Sequence, residues 1–426
     1  MKAFRGEILS VPEDPAAAGP GAIRHHADGL LVVVDGLVLA CGPYAELAGT
    51  FAEAQVERLE GLIVPGFVDA HVHYPQIGSI ASHGEQLMQW LERHIFPAEK
   101  AFADRAHADA VAAFFLDELL RHGTTSALVF ATVHAGSVDA LFEAALRRDM
   151  RIVSGKVLMD RGPEGLQDTV ASGRADTEAL IARWRGRGRL GYAVTPRFVP
   201  TSSSAQLADA GALLAAHPDV LMHTHLSENP GEIAYVAELY PDAADYLDVY
   251  DRFGLVGPRS VFAHCVHMSD RALGRMATAG AGIAFCPTSN LFLGSGLFDL
   301  AQAGRHGVRI GIGTDVGAGT SLSVLHTLGA AYGACQLRGC SLDPFRALHL
   351  ATAGGARVIG ISDRVGGLLP GQEADFVVLD EQATPLLARR CTGASLHDRL
   401  FALQVLGDDR AIASAWLRGR RVHARG

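Results

Sequence analysis

The sequence has no apolar run approaching the roughly 20 residues that a bilayer-spanning helix needs, so no membrane partner is expected. Cysteine is scarce. Six cysteines (Cys41, Cys265, Cys286, Cys335, Cys340, Cys391) are spread through 426 residues with no CxxC pair. That excludes a disulfide-stapled scaffold and a thiolate zinc knuckle, and leaves reduced thiols as the default. A basic stripe is also missing. The net charge is -9 and the 37 lysines and arginines are scattered, which excludes the electrostatic footprint of a nucleic-acid binder and points to small-molecule partners. Residues 1–15 carry Glu7, Pro12, Glu13, Asp14 and Pro15 in place of a basic segment followed by an apolar one. They do not read as a signal peptide, so a cytoplasmic location is expected. No internal repeat or low-complexity tract interrupts the chain.

What is present is an ordinary globular composition, 49% hydrophobic and 19% charged, with enough length to bury a large core. Short β-branched apolar segments recur at 62–73, 124–130, 151–159, 191–199, 220–226, 261–267, 283–286 and 308–314. Helix-like stretches separate them. One is 108–121, with apolar Val111, Phe114, Phe115, Leu119 and Leu120 and with Gly123 as its C-cap. Eight strands alternating with helices predict an α/β fold in which a parallel sheet closes into a (β/α)8 TIM-like barrel. The ends differ: 30–42, 373–380 and 412–422 are β-rich, with Asp35-Gly36 as a hairpin signal. They predict a small β-sandwich domain made from both termini, with boundaries at 1–64, 65–365 and 366–426.

Four polar clusters fall at the carboxyl ends of predicted strands, the face on which barrels assemble active sites. In Asp69-Ala70-His71-Val72-His73, residues two apart on a strand face the same way, so His71 and His73 present two imidazoles that suit a transition metal. A pair of core histidines would give the same string. In His223-Thr224-His225-Leu226-Ser227-Glu228, His225 can add a third nitrogen, and Glu228 can reach a metal-activated water without ligating. His223 is assigned to a supporting or core position. The third cluster is His264-Cys265-Val266-His267, in which His267 lies farther past the strand end. The fourth is Gly313-Thr314-Asp315, whose carboxylate must be paired, bound to metal or moving protons, because an uncompensated buried charge is costly.

Together the strings PGFVDAHVH (65–73), HLSE (225–228), AH (263–264), GTD (313–315) and PGQEADFVVLD (370–380) resemble the amidohydrolase superfamily over nearly the whole chain. The resemblance implies metal ligation by His71, His73, His225 and Asp315, a hydrogen bond from His264 to the attacking water or developing oxygen, and a proton shuttle at Glu228. Dinuclear members carry a carboxylated lysine at the end of the fourth strand. The only lysines here are Lys2, Lys100 and Lys156, the last on the third predicted strand, and the fourth ends in Arg197-Phe198. The resemblance therefore implies one divalent metal, zinc or alternatively iron, and a homodimer.

The segments HYPQ (73–76), QWLERHIFPAEKAF (89–102), GKVLMDR (155–161), PRFVP (196–200), HLSEN (225–229) and CPTSNLFLGSG (286–296) are similar to the guanine-deaminating branch, which acts in purine catabolism. Arg197 could then donate to the C6 carbonyl, Phe198 stack on the ring and Gln76 serve the purine edge. The substrate-binding set is Gln76, Arg197, Phe198, His225, Glu228 and Asp315. The metal would lower the pKa of water toward about 7, Glu228 would carry its proton to N3, and hydroxide would add at C2. Asp315 would help protonate the departing ammonia, leaving xanthine. Alternatives are a related deaminase of 8-oxoguanine, cytosine or a triazine, or a non-catalytic scaffold. The cytidine-deaminase pattern fails: His83-Gly84-Glu85 matches HxE, but no PCxxC follows.

Overall fold

A computed structural model of the chain describes residues 1–83 and 86–426, so Gly84 and Glu85 of the HxE string lie outside the described residues. The chain opens with four strands of a flanking sheet: β1 (Lys2–Ser10), β2 (Arg24–Val34), β3 (Leu37–Pro43) and β4 (Gln55–Pro65). Asp35 and Gly36 both take positive φ, 52° and 83°, so the β2–β3 turn is the primed type that an Asp-Gly pair favours. The barrel strands follow as β5 (Phe67–His73), β6 (Thr124–Phe130), β7 (Arg151–Gly155), β8 (Val157–Leu158), β9 (Gly191–Pro196), β10 (Leu221–Leu226), β11 (Ser260–His264), β12 (Gly282–Phe285) and β13 (Arg309–Ile312). The chain then returns to the flanking sheet with β14 (Phe376–Leu379), β15 (Ile412–Leu417) and β16 (Arg420–Ala424).

The flanking strands form one continuous hydrogen-bonded sheet in the order β16-β15-β14-β4-β1-β2-β3. Its pairs are antiparallel except β1 with β4. The barrel strands are all parallel, in the order β5-β6-β7-β9-β10-β11-β12-β13, with β8 beside β9. Backbone bonds past the end of β13 close the ring at the top: Asp315 N–H donates to His71 O and His73 N–H to Val316 O, each at 2.9 Å.

Several predicted strands are shorter in the structure, and steric reasons are visible. Segment 62–73 is two strands because Gly66 bridges the two sheets, where a Cβ would lie 2.2 Å from Thr125 Oγ1. Segment 151–159 breaks at Lys156. Segment 261–267 stops at His264, because His264 and Cys265 take φ of 70° and 52° and turn the chain. The helix predicted over 108–121 begins earlier, at Arg105, because Asp104 caps it by accepting from Ala106 N–H at 3.0 Å. Its buried stripe includes Phe115, Leu119 and Leu120, and Val111 is half-buried. Phe114 instead faces solvent at 57% exposure, since one step on a helix turns a side chain about 100° away from its neighbour.

Candidate metal centre and substrate cavity

The strand ends bring four ligand-type atoms together. His73 Nε2 lies 3.2 Å from both His71 Nε2 and His225 Nε2. Asp315 Oδ1 lies 3.1 Å from His71 Nε2 and 3.3 Å from His73 Nε2. A tetrahedron with metal–nitrogen bonds of 2.0–2.1 Å has edges of roughly 3.3 Å, so these separations are those of a four-ligand shell. His225 Nδ1 donates to Arg197 O at 2.7 Å, which leaves the His225 Nε2 lone pair facing the centre, and His71 Nδ1 lies 2.7 Å from His223 Nε2. Burial, reinforced by the other imidazoles, lowers the pKa of His71, His73 and His225, with His73 near 4. Although burial opposes ionisation of Asp315, His71 and His73 hold its pKa well below the usual range. Three neutral imidazoles and one carboxylate aimed at a common point suit a divalent cation.

Among the described residues, ligand atoms of His71, His225 and His264 also fall within 4.8 Å of one another, as do those of His71, Cys286 and Asp315. Cys286 is the poorer donor. Burial pushes its thiol pKa well up, and its Sγ sits 3.4 Å from Ala284 O. His264 Nε2 faces Glu228 Oε2 at 3.4 Å and Asp315 Oδ2 at 3.7 Å, while its Nδ1 is held by Asn290 Oδ1 at 2.9 Å. Glu228 accepts from Ser295 Oγ at 3.3 Å, and burial with the nearby charge of Asp315 raises its carboxyl pKa to about 8. Four backbone positions around this centre adopt left-handed φ without being glycine: Ser227 at 50°, His264 at 70°, Cys265 at 52° and Asp315 at 52°. Such conformations cost about 1–3 kcal/mol each and gather at functional sites.

Asp69 carries no ligand atom to the centre but ties two of the clusters together. Its carboxylate accepts from His71 N–H at 3.2 Å, Thr314 N–H at 3.0 Å and Thr314 Oγ1 at 2.5 Å. His223 supports His71 from behind. His267 is exposed and its Nε2 bonds Ser295 O at 2.7 Å, so it lies outside the cavity wall. Lys156 is buried between β7 and β8 and is tied to Asp168 and to Val157 O.

One cavity reaches this centre. It is lined by His73, His225, Glu228, His264 and Asp315 together with Gln76, Arg197, Phe198, Leu87, Trp90, Leu91, Leu293 and Ala318. Gln76 sits in the 3-10 turn Tyr74–Ser79, while Arg197 and Phe198 directly follow β9. The structure adds a residue that sequence reading had not singled out. Glu99, 1% exposed, accepts from Gln76 Nε2 at 3.0 Å and from Arg197 Nη1 at 2.6 Å. Arg197 thus forms an ion pair and lines the cavity at once. Trp90 and Leu87 were likewise not singled out, because a short apolar helix before the first long one carries no chemical signature. The similarity of segment 89–102 was the only sequence signal near them.

The model of the amidohydrolase family matches residues 62–422. Guanine deaminase of Escherichia coli is 48% identical over 100% of this chain and 98% of that protein, and a solved structure of E. coli guanine deaminase covers 100% of both chains with a TM-score of 0.97. Guanine deaminase from C. acetobutylicum, solved with guanine bound in its active site, is 27% identical with a TM-score of 0.92, covering 99% of this chain and 100% of that one. An adenosine deaminase from Xanthomonas campestris with bound zinc is 25% identical with a TM-score of 0.85, over 98% of this chain and 92% of that one. With its closed parallel barrel and its similarity over the full length, the chain belongs to the amidohydrolase family, among the guanine deaminases.

Proposed function

We propose that this cavity hydrolyses guanine to xanthine and ammonia, with the ring held between the ligand cluster and the Gln76–Arg197–Phe198 wall. The observation that carries the reading is the placement of both halves on one cavity: four converging ligand atoms with Glu228 beside them, and the planar donor fork of Arg197 in the same lining. His71, His73, His225 and Asp315 would hold one divalent metal, zinc by analogy with the Xanthomonas relative. When bound, that metal supplies Lewis-acid activation of water, bringing its pKa toward about 7.

The remaining chemistry belongs to side chains. Glu228, whose carboxyl is raised to about 8, can take a proton from the attacking water and keep it long enough to deliver it to N3. His264, fixed by Asn290 with Nε2 toward Glu228 and Asp315, is placed to hydrogen-bond the oxygen that adds at C2. Asp315, held ionised, can accept the proton of the hydroxyl that has added at C2 and hand it to the departing amine, which leaves as ammonia while the C2 carbonyl forms. Arg197 would grip the C6 carbonyl, Gln76 the purine edge and Phe198 one ring face. Lys156 is tied to Asp168, and no lysine ends β9, which supports a mononuclear site.

The same reading assigns residues 1–64 and 366–426 to the flanking β domain and 65–365 to the barrel. It places a homodimer in the cytoplasm, where six unpaired cysteines are in keeping with a reducing compartment. Among the described residues no helix is long and apolar enough to cross a membrane. The test is ammonia release by metal-replete protein offered guanine, 8-oxoguanine, cytosine and a triazine in parallel. Preferential turnover of guanine is expected, and turnover of any of the others in its place would overturn the assignment.

A further inference from the structure

Glu99 lies behind the cavity wall, on the helix Phe96–Lys100, and its two oxygens serve two recognition residues. Oε2 accepts from Arg197 Nη1 at 2.6 Å and Oε1 from Gln76 Nε2 at 3.0 Å, while Gly317 N–H donates to Gln76 Oε1 at 3.3 Å. The side chains of Arg197 and Glu99 are 3% and 2% exposed, so water does little to screen either charge. A guanidinium carries five N–H donors. The bond to Glu99 therefore leaves the fork able to hold a ring carbonyl while its positive charge is already balanced.

We infer that Glu99 is a specificity-determining, positioning residue that makes the recognition end attract a neutral purine and not an anionic one. The inference rests on the proposed deamination of guanine. In mildly alkaline solution guanine is still neutral, whereas xanthine has begun to lose a ring proton. An arginine without its carboxylate would draw the xanthine anion to a buried guanidinium, where charge-assisted hydrogen bonds are strong, and the enzyme would be inhibited by its own product. With Glu99 in place, Arg197 offers direction without net charge. The second bond fixes the Gln76 amide with its oxygen toward Gly317, so the same carboxylate sets both the charge and the orientation of the wall.

The test compares guanine and xanthine on wild-type and E99Q protein. Xanthine binding is measured by calorimetry in mildly alkaline and mildly acidic buffer, and KM and kcat for guanine are measured alongside. E99Q is expected to bind xanthine about tenfold or more tightly in alkaline buffer, with no such gain in acid, and to leave KM for guanine unchanged or raised. E99D keeps the charge and should not gain xanthine affinity. R197Q leaves Glu99 unbalanced and should lose affinity for anionic xanthine by a larger factor than for guanine, which keeps the inference testable if E99Q does not fold. Equal shifts for both purines, or a xanthine gain independent of pH, would mean that Glu99 only supports the wall and would overturn the inference. Failure of the wild-type protein to turn over guanine would instead overturn the functional reading itself.

Discussion

At one end of the cavity His71, His73, His225 and Asp315 ride on strand ends that are locked to each other by backbone hydrogen bonds. At the other, Gln76, Arg197 and Phe198 sit on turns, and Gln76 and Arg197 are held by a side chain, Glu99. The proposed metal end is redundant in its construction: the β5–β13 closure, the Asp69 carboxylate and the His223 ring all fix the same few side chains. The recognition end depends on one buried ion pair and one amide. On the proposed function, rigid ladders thus serve the centre where a few tenths of an ångström decide ligation, and exchangeable side chains serve the part that chooses the ring.

The largest effect should come from the metal end. His225→Ala or His71→Ala removes a nitrogen from the proposed ligand set and should lose both bound metal and activity, since there ligation and catalysis depend on the same atom. Elemental analysis of the purified variants checks this, and full occupancy in either would sink the ligand set. Glu228→Gln separates chemistry from ligation. Turnover should fall by roughly 10²- to 10⁴-fold or beyond detection while metal stays near stoichiometric, because general acid–base transfer is the function removed. A metal-free variant would refute that assignment.

Smaller effects should mark the recognition end. Arg197→Ala forfeits a charge-assisted hydrogen bond of about 1.5–3 kcal/mol, so kcat/KM for guanine should drop about ten- to a few hundred-fold with metal content intact. Lysine should restore only part of the loss, because it keeps charge without the planar fork. Activity per folded, metal-loaded molecule is the quantity to measure, and an unchanged value would reduce Arg197 to a structural partner of Glu99. Phe198→Leu should be mildest, raising KM by roughly two- to tenfold, which corresponds to an aromatic contact of about 0.5–1.5 kcal/mol. Were Phe198→Leu to cost more than Arg197→Ala, the division of labour between ion pair and stacking would have to be reversed.

The convergence of the proposed metal end was legible as text because its residues occupy short strings whose spacing matches strand geometry: His71 and His73 two apart, His225 and Glu228 spanning a strand end, and Asp315 closing an apolar run. The recognition end was only half legible. Gln76, Arg197 and Phe198 could be named because they neighbour those strings, but Glu99 sits 98 residues from Arg197 and 23 from Gln76. Nothing in the sequence links them, and a glutamate inside an ordinary helical segment reads as a solvated face until the fold buries it. The exposed Phe114 is the opposite case, an apolar residue whose neighbour one step along the helix took the core position.

By itself the sequence determined the alternation of strands and helices, the Asp35-Gly36 turn and the residue types available to ligate, because these depend on local periodicity and on the chemistry of individual side chains. Tertiary structure alone decided where strands stop, as at Gly66 and at the left-handed turn of His264. It also decided that His71 and Asp315 would meet at 3.1 Å across 244 positions, and that a buried carboxylate would balance Arg197. The physical reason is the same in each case. Steric approach, closure of a hydrogen-bonded ring and desolvation of a charge are properties of groups distant in sequence, and they take a value only once the chain has brought those groups together.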